Sequence, residues 1–153
     1  MRYYAMENIG HVTLPNVPKG DEEIAILTPN IDYFDEVDYD SRSQIVSDRL
    51  KQLIELYMPE YYFMPVAFIT DDRQNHCVFW RFKPPPAKDY NALYRSDGVI
   101  SHIAFSSDHR PIIFTAKSPK GIESIAVRMA VTESTLCRGI LGVKFTEILN
   151  IVE

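Results

Sequence analysis

Residues 61–82 have the sequence YYFMPVAFIT-DDRQN-HCVFWRF, the strongest strand pattern of the chain. Two runs rich in β-branched and aromatic residues, 61–70 and 76–82, flank the polar pentapeptide Asp71–Asn75. Two such runs joined by a polar turn are typical of a β-hairpin. The three prolines at 84–86 end the second strand, because proline cannot donate a hydrogen bond to a neighbouring strand.

A helix is predicted directly before this hairpin. Ser47 is a suitable N-cap, because its hydroxyl accepts a hydrogen bond from a free amide of the first turn. Leu50, Leu53, Ile54 and Tyr57 then repeat at helical spacing and define one buried face. Pro59 ends the helix.

The C-terminal part predicts a strand, a short helix and a strand. Apolar residues alternate from Ile125 to Val131, which indicates a strand. Thr132 caps a short helix that ends at Ile140, and Gly142 is expected in the left-handed conformation that follows a helix. The last strand is Val143–Ile148. Other strands are predicted at 2–6, 11–14, 23–27, 99–105 and 112–116, and a helical turn at 90–94.

These elements predict an α+β fold, in which few helices pack on a mostly antiparallel sheet that ends in the strand-helix-strand unit. The 153 residues fit a single domain, 1–153, and the hydrophobic share of 46% supplies a core. No apolar run approaches the length of a membrane span, and the N-terminus lacks the features of a signal peptide, so we expect a cytoplasmic protein. Cys77 and Cys137 lie among apolar neighbours and are predicted as two buried thiols.

Negative charge is concentrated in one segment, residues 21–41. It holds eight carboxylates and no lysine or arginine, a net charge of −8. The whole chain has a net charge of −5, so the rest of the chain has a net charge of +3. The segment is predicted as an exposed loop or a loosely attached edge. A solvated loop is one explanation; the other is an interface, since tyrosine and phenylalanine are common anchors there. The interface hypothesis selects these partner-binding residues: Asp32, Tyr33, Phe34, Asp35, Glu36, Asp38, Tyr39 and Asp40.

The sequence shows no recognisable catalytic motif and no metal-ligand spacing, so no cofactor or metal is predicted. His102 lies in an apolar strand, where a core or edge histidine is the simpler explanation. A hydrolase that uses His102, or His109 with Asp108, is kept as an alternative. Basic residues are scattered and the isoelectric point is about 5.4, which opposes nucleic-acid binding.

Several stretches resemble a known family. They are the valine-serine-acid helix start within 44–53, the proline and aromatic strand of 59–66, and the capped helix and final strand of 125–134 and 139–148. The opening Tyr3–Met6 is also similar. In this order they resemble bacterial immunity proteins of polymorphic toxin systems, including contact-dependent and type VI secreted toxins. The resemblance implies a protein without catalytic residues that binds and neutralises a cognate toxin inside the producing cell.

The leading hypothesis is therefore an immunity protein rather than an enzyme. The segment Asp32–Asp40 would occlude a basic cleft of the toxin's C-terminal domain, since opposite charges speed association. A small-molecule hydrolase and a general protein-binding adaptor remain as alternatives. Neither nucleic acid nor membrane is expected as a partner, and the oligomeric state is left open.

Overall fold

The computed structural model describes residues 1–10 and 12–152. In chain order, the elements are β1 (Tyr3–Glu7), β2 (Ile24–Thr28), a 3-10 turn (Phe34–Glu36), β3 (Tyr39–Asp40), β4 (Ile45–Ser47), α1 (Asp48–Tyr57), β5 (Met64–Thr70), β6 (His76–Arg81), β7 (Tyr90–Tyr94), β8 (Ile100–Phe105), β9 (Ile113–Lys117), β10 (Glu123–Arg128), α2 (Met129–Cys137) and β11 (Lys144–Asn150). The predicted α+β class is confirmed, including the β10-α2-β11 unit.

The chain forms two compact units, each built from separate stretches of sequence. Unit 1 comprises Met1–Glu7, Lys83–Ser134 and Phe145–Glu153, and unit 2 comprises Asn8–Phe82 and Thr135–Lys144. The prediction of one domain over 1–153 stays a prediction.

Unit 1 is organised around a six-stranded sheet with the order β7-β8-β11-β1-β10-β9. The pairs β7-β8, β1-β10 and β10-β9 are antiparallel, whereas β11 runs parallel to β8. Its buried core residues come from every strand of this sheet except β7. They are Tyr3, Ala5, Ile100, Ile103, Phe114, Ala116, Ala126 and Ile148.

Unit 2 contains a five-stranded sheet with the order β2-β5-β6-β4-β3. The predicted hairpin is confirmed: β5 and β6 pair antiparallel, from Met64 opposite Arg81 to Ile69 opposite His76. β2 pairs with β5 in parallel. One hydrophobic core cluster of this unit contains Leu14, Val17, Phe34, Val37, Ile45, Val66, Phe68 and Phe79.

Helix α1 forms as the sequence predicts. Ser47 is its N-cap, and the Ser47 hydroxyl accepts a hydrogen bond of 3.2 Å from the Leu50 amide. Leu50, Leu53 and Ile54 are buried. The helix ends at Tyr57, two residues before the proline that was expected to stop it.

Residues 90–94 form the edge strand β7, so the predicted helical turn is wrong. Tyr90, Ala92 and Tyr94 pack on the core of unit 1, whereas Asn91 and Leu93 are exposed. This alternation follows from antiparallel pairing with β8. Pairing with the neighbouring strand, rather than a local helical pattern, sets the structure of this segment.

The start and end of α2 also differ from the prediction. The helix begins at Met129 rather than after Thr132, so Val131 lies in the helix and not in a strand. Alternating apolar residues continue past Arg128 in the sequence, and periodicity therefore does not mark the change. Gly139, with φ of 70°, takes the left-handed conformation that was assigned to Gly142.

The predicted strand at 11–14 is not found. Residues 12–14 have no strand structure, although Leu14 is buried in the core of unit 2. His11 lies outside the described residues.

Candidate partner-binding surface

Part of the acidic segment is folded into unit 2, so its prediction as an exposed loop or a loosely attached edge holds only for some of its residues. Phe34 is only 6% exposed, and its ring centroid lies 4.9 Å from that of Phe68 and 6.4 Å from that of Phe79, both edge-to-face. Burial of a phenylalanine ring stabilises a fold by roughly 2 kcal/mol. The ring therefore belongs to the core and is not available to a partner.

Asp38 is completely buried and accepts four hydrogen bonds. Its Oδ1 atom accepts from the Ser47 hydroxyl at 2.5 Å and from Arg49 Nε at 2.7 Å. Its Oδ2 atom accepts from Arg49 Nη2 and from the Gly142 amide, both at 2.7 Å. The hydrogen bond from Asp38 raises the pKa of the Arg49 guanidinium. A buried carboxylate is tolerated when it is paired and fully hydrogen-bonded, so Asp38 has a structural role.

Gly142 approaches the same segment closely. Its carbonyl accepts from the amides of Asp38 and Tyr39, at 2.9 and 3.3 Å. A Cβ atom at position 142 would overlap the Asp38 nitrogen and the Glu36 carbonyl oxygen. The requirement for glycine is therefore steric and not conformational. Sequence reasoning missed this contact, because the two residues are 104 positions apart.

Tyr39 and Asp40 are also buried, in β3. Asp40 Oδ1 accepts from the Arg42 amide at 3.0 Å, and Arg42 Nη2 donates to the Leu14 carbonyl at 2.6 Å. Of the eight predicted partner-binding residues, Phe34, Asp38, Tyr39 and Asp40 are thus inside unit 2. A partner that docks on this structure does not reach them.

The other four residues of the prediction are exposed. They are Asp32, Tyr33, Asp35 and Glu36, with Tyr33 exposed by 62%. Asp32 lines an open cleft of about 510 Å³ together with Asp72 of the β5-β6 turn. We call these five residues the acidic surface.

Asp72 is held in place by its own turn. Its Oδ1 atom accepts from the Thr70 hydroxyl at 2.6 Å and from the Gln74 amide at 3.0 Å. These bonds lower the pKa of Asp72, the Thr70 bond most. The carboxylate is therefore ionised at neutral pH and adds fixed negative charge to the cleft.

Charge is divided unequally between the units. Unit 2 holds 13 carboxylates and 8 lysine or arginine side chains, whereas unit 1 holds 8 of each. The whole net charge of −5 therefore belongs to unit 2. A field of this kind attracts a basic partner and repels polyanions.

The residues of the hydrolase alternative do not form a triad. The Ser101 hydroxyl lies 2.9 Å from His102 Nδ1. Asp108 and His109 are exposed, and no hydrogen bond in the described part of the chain joins either of them to His102. Within residues 1–10 and 12–152, no three His, Cys, Asp or Glu side chains are grouped to hold a metal ion.

The two thiols differ in exposure, and the prediction that both are buried is wrong. Cys137 is exposed near the end of α2, and Cys77 is half-buried in β6. Burial raises the pKa of Cys77, and the carboxylates of Asp35 and Asp48 raise it further. Cys77 is therefore the less reactive of the two.

None of the helices in the described chain has the length and apolar character needed to cross a membrane. A comparison with protein-family models and with curated proteins gives no match for this chain.

Proposed function

We propose that this protein is a cytoplasmic immunity protein that binds and neutralises the C-terminal domain of a cognate bacterial toxin. The observation that carries the proposal is the segregation of all net negative charge in unit 2, with Asp32, Asp35, Glu36 and Asp72 on its exterior. The sequence resemblance to immunity proteins of contact-dependent and type VI toxin systems supports it independently of charge.

The mechanism is occlusion of a basic cleft. A toxin that acts on nucleic acid or on a phosphate-bearing cofactor needs positive charge at its active site. The acidic surface complements that charge and speeds the encounter. Tyr33 supplies an exposed aromatic ring among the carboxylates, and buried tyrosines at interface centres slow dissociation.

The buried half of the segment supports this mechanism by preorganisation. Phe34 anchors the 3-10 turn in the core, and Asp38 fixes the chain two residues after Glu36. Asp35 and Glu36 are therefore held in place before a partner arrives. A surface that is ordered in advance loses less conformational entropy on binding.

The proposal is tested with the partner that co-purifies with this chain from its own cells. The variant Asp35→Lys/Glu36→Lys is compared with Asp108→Lys/Glu133→Lys, which makes the same change of charge at exposed positions of unit 1. We expect the first variant to reduce the association rate constant about tenfold or more and the control to change it much less. Asp38 is not reversed, because a buried lysine would unfold the segment.

Equal effects of the two variants would remove the acidic surface from the interface. Absence of a stoichiometric toxin-like partner among the proteins that co-purify with this chain from its own cells would contradict the immunity function itself. Circular dichroism of both variants verifies that the fold is unchanged.

A further inference from the structure

β2 forms one edge of the five-stranded sheet of unit 2. It pairs with β5 on one side, and no strand of the described chain pairs with its other side. Its sequence, Ile24-Ala25-Ile26-Leu27-Thr28, contains no lysine and no proline. Edge strands of soluble proteins are usually protected by such residues or by bulges, because unpaired backbone groups recruit other strands.

The outward face of this edge is apolar. Ile24 and Ile26 pack against the core, whereas Ala25 is exposed and Leu27 is 57% exposed on the opposite face. In the parallel register, Ala25 lies opposite Ala67 and Leu27 lies opposite Ile69. The open edge thus continues into a row of apolar side chains on β5.

Both ends of β2 carry negative charge. Asp21, Glu22 and Glu23 are exposed directly before the strand. At its end, the Thr28 carbonyl accepts from the Asp71 amide at 3.0 Å, so the acidic β5-β6 turn lies beside it. An occupant that complements this edge has apolar residues in alternation and lysine or arginine at its ends.

A second copy of this chain does not fit that description. Antiparallel pairing of two β2 strands would place Asp21–Glu23 of one copy beside Asp71 and Asp72 of the other. Parallel pairing would place like ends together. Opposed like charges destabilise cross-strand pairing in either case.

We propose that the β2 edge binds an extended basic and apolar segment of a partner protein as an additional strand. Backbone hydrogen bonds to β2 supply affinity, and the faces of Ala25 and Leu27 supply selectivity for alternating apolar residues. The assignment of that segment to a toxin rests on the proposed function, but the chemistry of the edge does not.

The test uses a ten-residue peptide of alternating valine and lysine as the probe, with the full chain. The control is the same peptide with every backbone amide N-methylated, which keeps the charge and removes the backbone donors. Amide hydrogen exchange is measured for residues 24–28. We expect slower exchange in β2 with the first peptide only. Equal protection by both peptides, or protection by neither, would overturn the proposal.

A pair of variants tests the site by charge. Leu27→Lys and Leu27→Glu replace the same exposed side chain, so both are expected to fold. Leu27→Lys should weaken binding of the valine-lysine peptide relative to Leu27→Glu by roughly two- to fivefold, the range of cross-strand charge effects. Equal affinities of the two variants would contradict docking at β2.

These outcomes are separable from the proposed function. Protection of β2 by the peptide in a protein that captures no toxin would leave the edge site standing and remove the immunity function. If the chain captures a toxin but residues 24–28 stay unprotected and the peptide does not bind, the immunity function stands and the edge site is removed.

Discussion

Asp38 shows at the scale of one residue how a carboxylate becomes part of a core. Removing it from water costs several kcal/mol, and the ion pair with Arg49 repays this only with further hydrogen bonds. Ser47 and Gly142 provide them. The Ser47 hydroxyl also accepts from Leu50, so one side chain caps α1 and positions the acidic segment.

Gly142 offers a direct test of that arrangement. Gly142→Ala should destabilise the fold by roughly 3 kcal/mol, because the added methyl group would overlap the backbone of Glu36 and Asp38. Chemical denaturation measures the loss. The control is Gly20→Ala, since a Cβ at position 20 meets no atom within 4 Å. Similar stability of the two variants would disprove the close approach.

The cysteines give a second prediction at this scale. At neutral pH an exposed thiol reacts faster than a half-buried one whose pKa is raised. We expect a disulfide reagent to modify Cys137 rapidly and Cys77 at least about tenfold more slowly. Time-resolved labelling of Cys137→Ser and Cys77→Ser assigns the two phases. A single rate for both thiols would contradict the burial of Cys77.

At the scale of elements, strands with strong local patterns form where the sequence places them. The β5-β6 hairpin and α1 carry complete signals: apolar periodicity, a polar turn and a capping serine. β7 and α2 are different. β7 depends on its pairing with β8, and α2 begins inside an alternating apolar run where strand and helix patterns overlap.

The turn between β7 and β8 carries a pH-dependent element. Asp97 accepts hydrogen bonds from Arg95 at 2.6 and 3.0 Å and from the Val99 amide at 3.2 Å. These bonds, led by that from Arg95, lower the pKa of Asp97 from 3.8 to about 2. A carboxylate with a lowered folded-state pKa stabilises the fold above its unfolded pKa. That contribution is lost as the pH falls from about 4 to about 2.

Asp97→Asn should therefore reduce stability at pH 5 by roughly 0.5 kcal/mol and lose that difference near pH 2, because solvent screens this exposed pair. Denaturation curves at pH 5, 3 and 2 measure it. Asp108→Asn, at another exposed position of unit 1, is the control. A deficit for Asp97→Asn that persists unchanged at pH 2 would show that the effect is not electrostatic.

At the scale of the whole molecule, the division of charge is the dominant feature. Unit 1 is electrically balanced, and unit 2 carries the net charge of −5. The sequence segment 21–41 accounts for all of this excess, because the rest of unit 2 holds 5 carboxylates against 8 lysine or arginine side chains. The negative field of unit 2 therefore originates in this one segment.

This field predicts a strong salt dependence. Raising the ionic strength from about 0.05 to 0.5 M shortens the Debye length severalfold. We expect the association rate with the co-purified partner to fall about tenfold or more while the dissociation rate changes little. Stopped-flow mixing measures both rates. The Asp35→Lys/Glu36→Lys variant should show a weaker dependence, and an association rate independent of salt would exclude steering by charge.

The α+β class, the β5-β6 hairpin, the capped helix α1 and the location of most strands can all be predicted from the sequence. These features depend on contacts between residues close in the chain, and the spacing of apolar residues along the sequence predicts such contacts. The sequence also locates the excess of carboxylates in 21–41.

Which of those carboxylates face solvent depends on contacts between residues far apart in the chain. Asp35 and Asp38 are both aspartates in one acidic stretch, yet Asp35 is exposed and Asp38 is buried. Asp38 is buried because it accepts hydrogen bonds from the Gly142 amide and the Arg49 guanidinium. Gly142 lies 104 positions after Asp38, and Arg49 lies 11 positions after it, beyond β4. The open edge of β2 is likewise a consequence of strand order, since β2 pairs with β5 across some forty residues. Pairing between distant residues costs chain entropy, and it leaves no local sequence pattern from which it could be predicted.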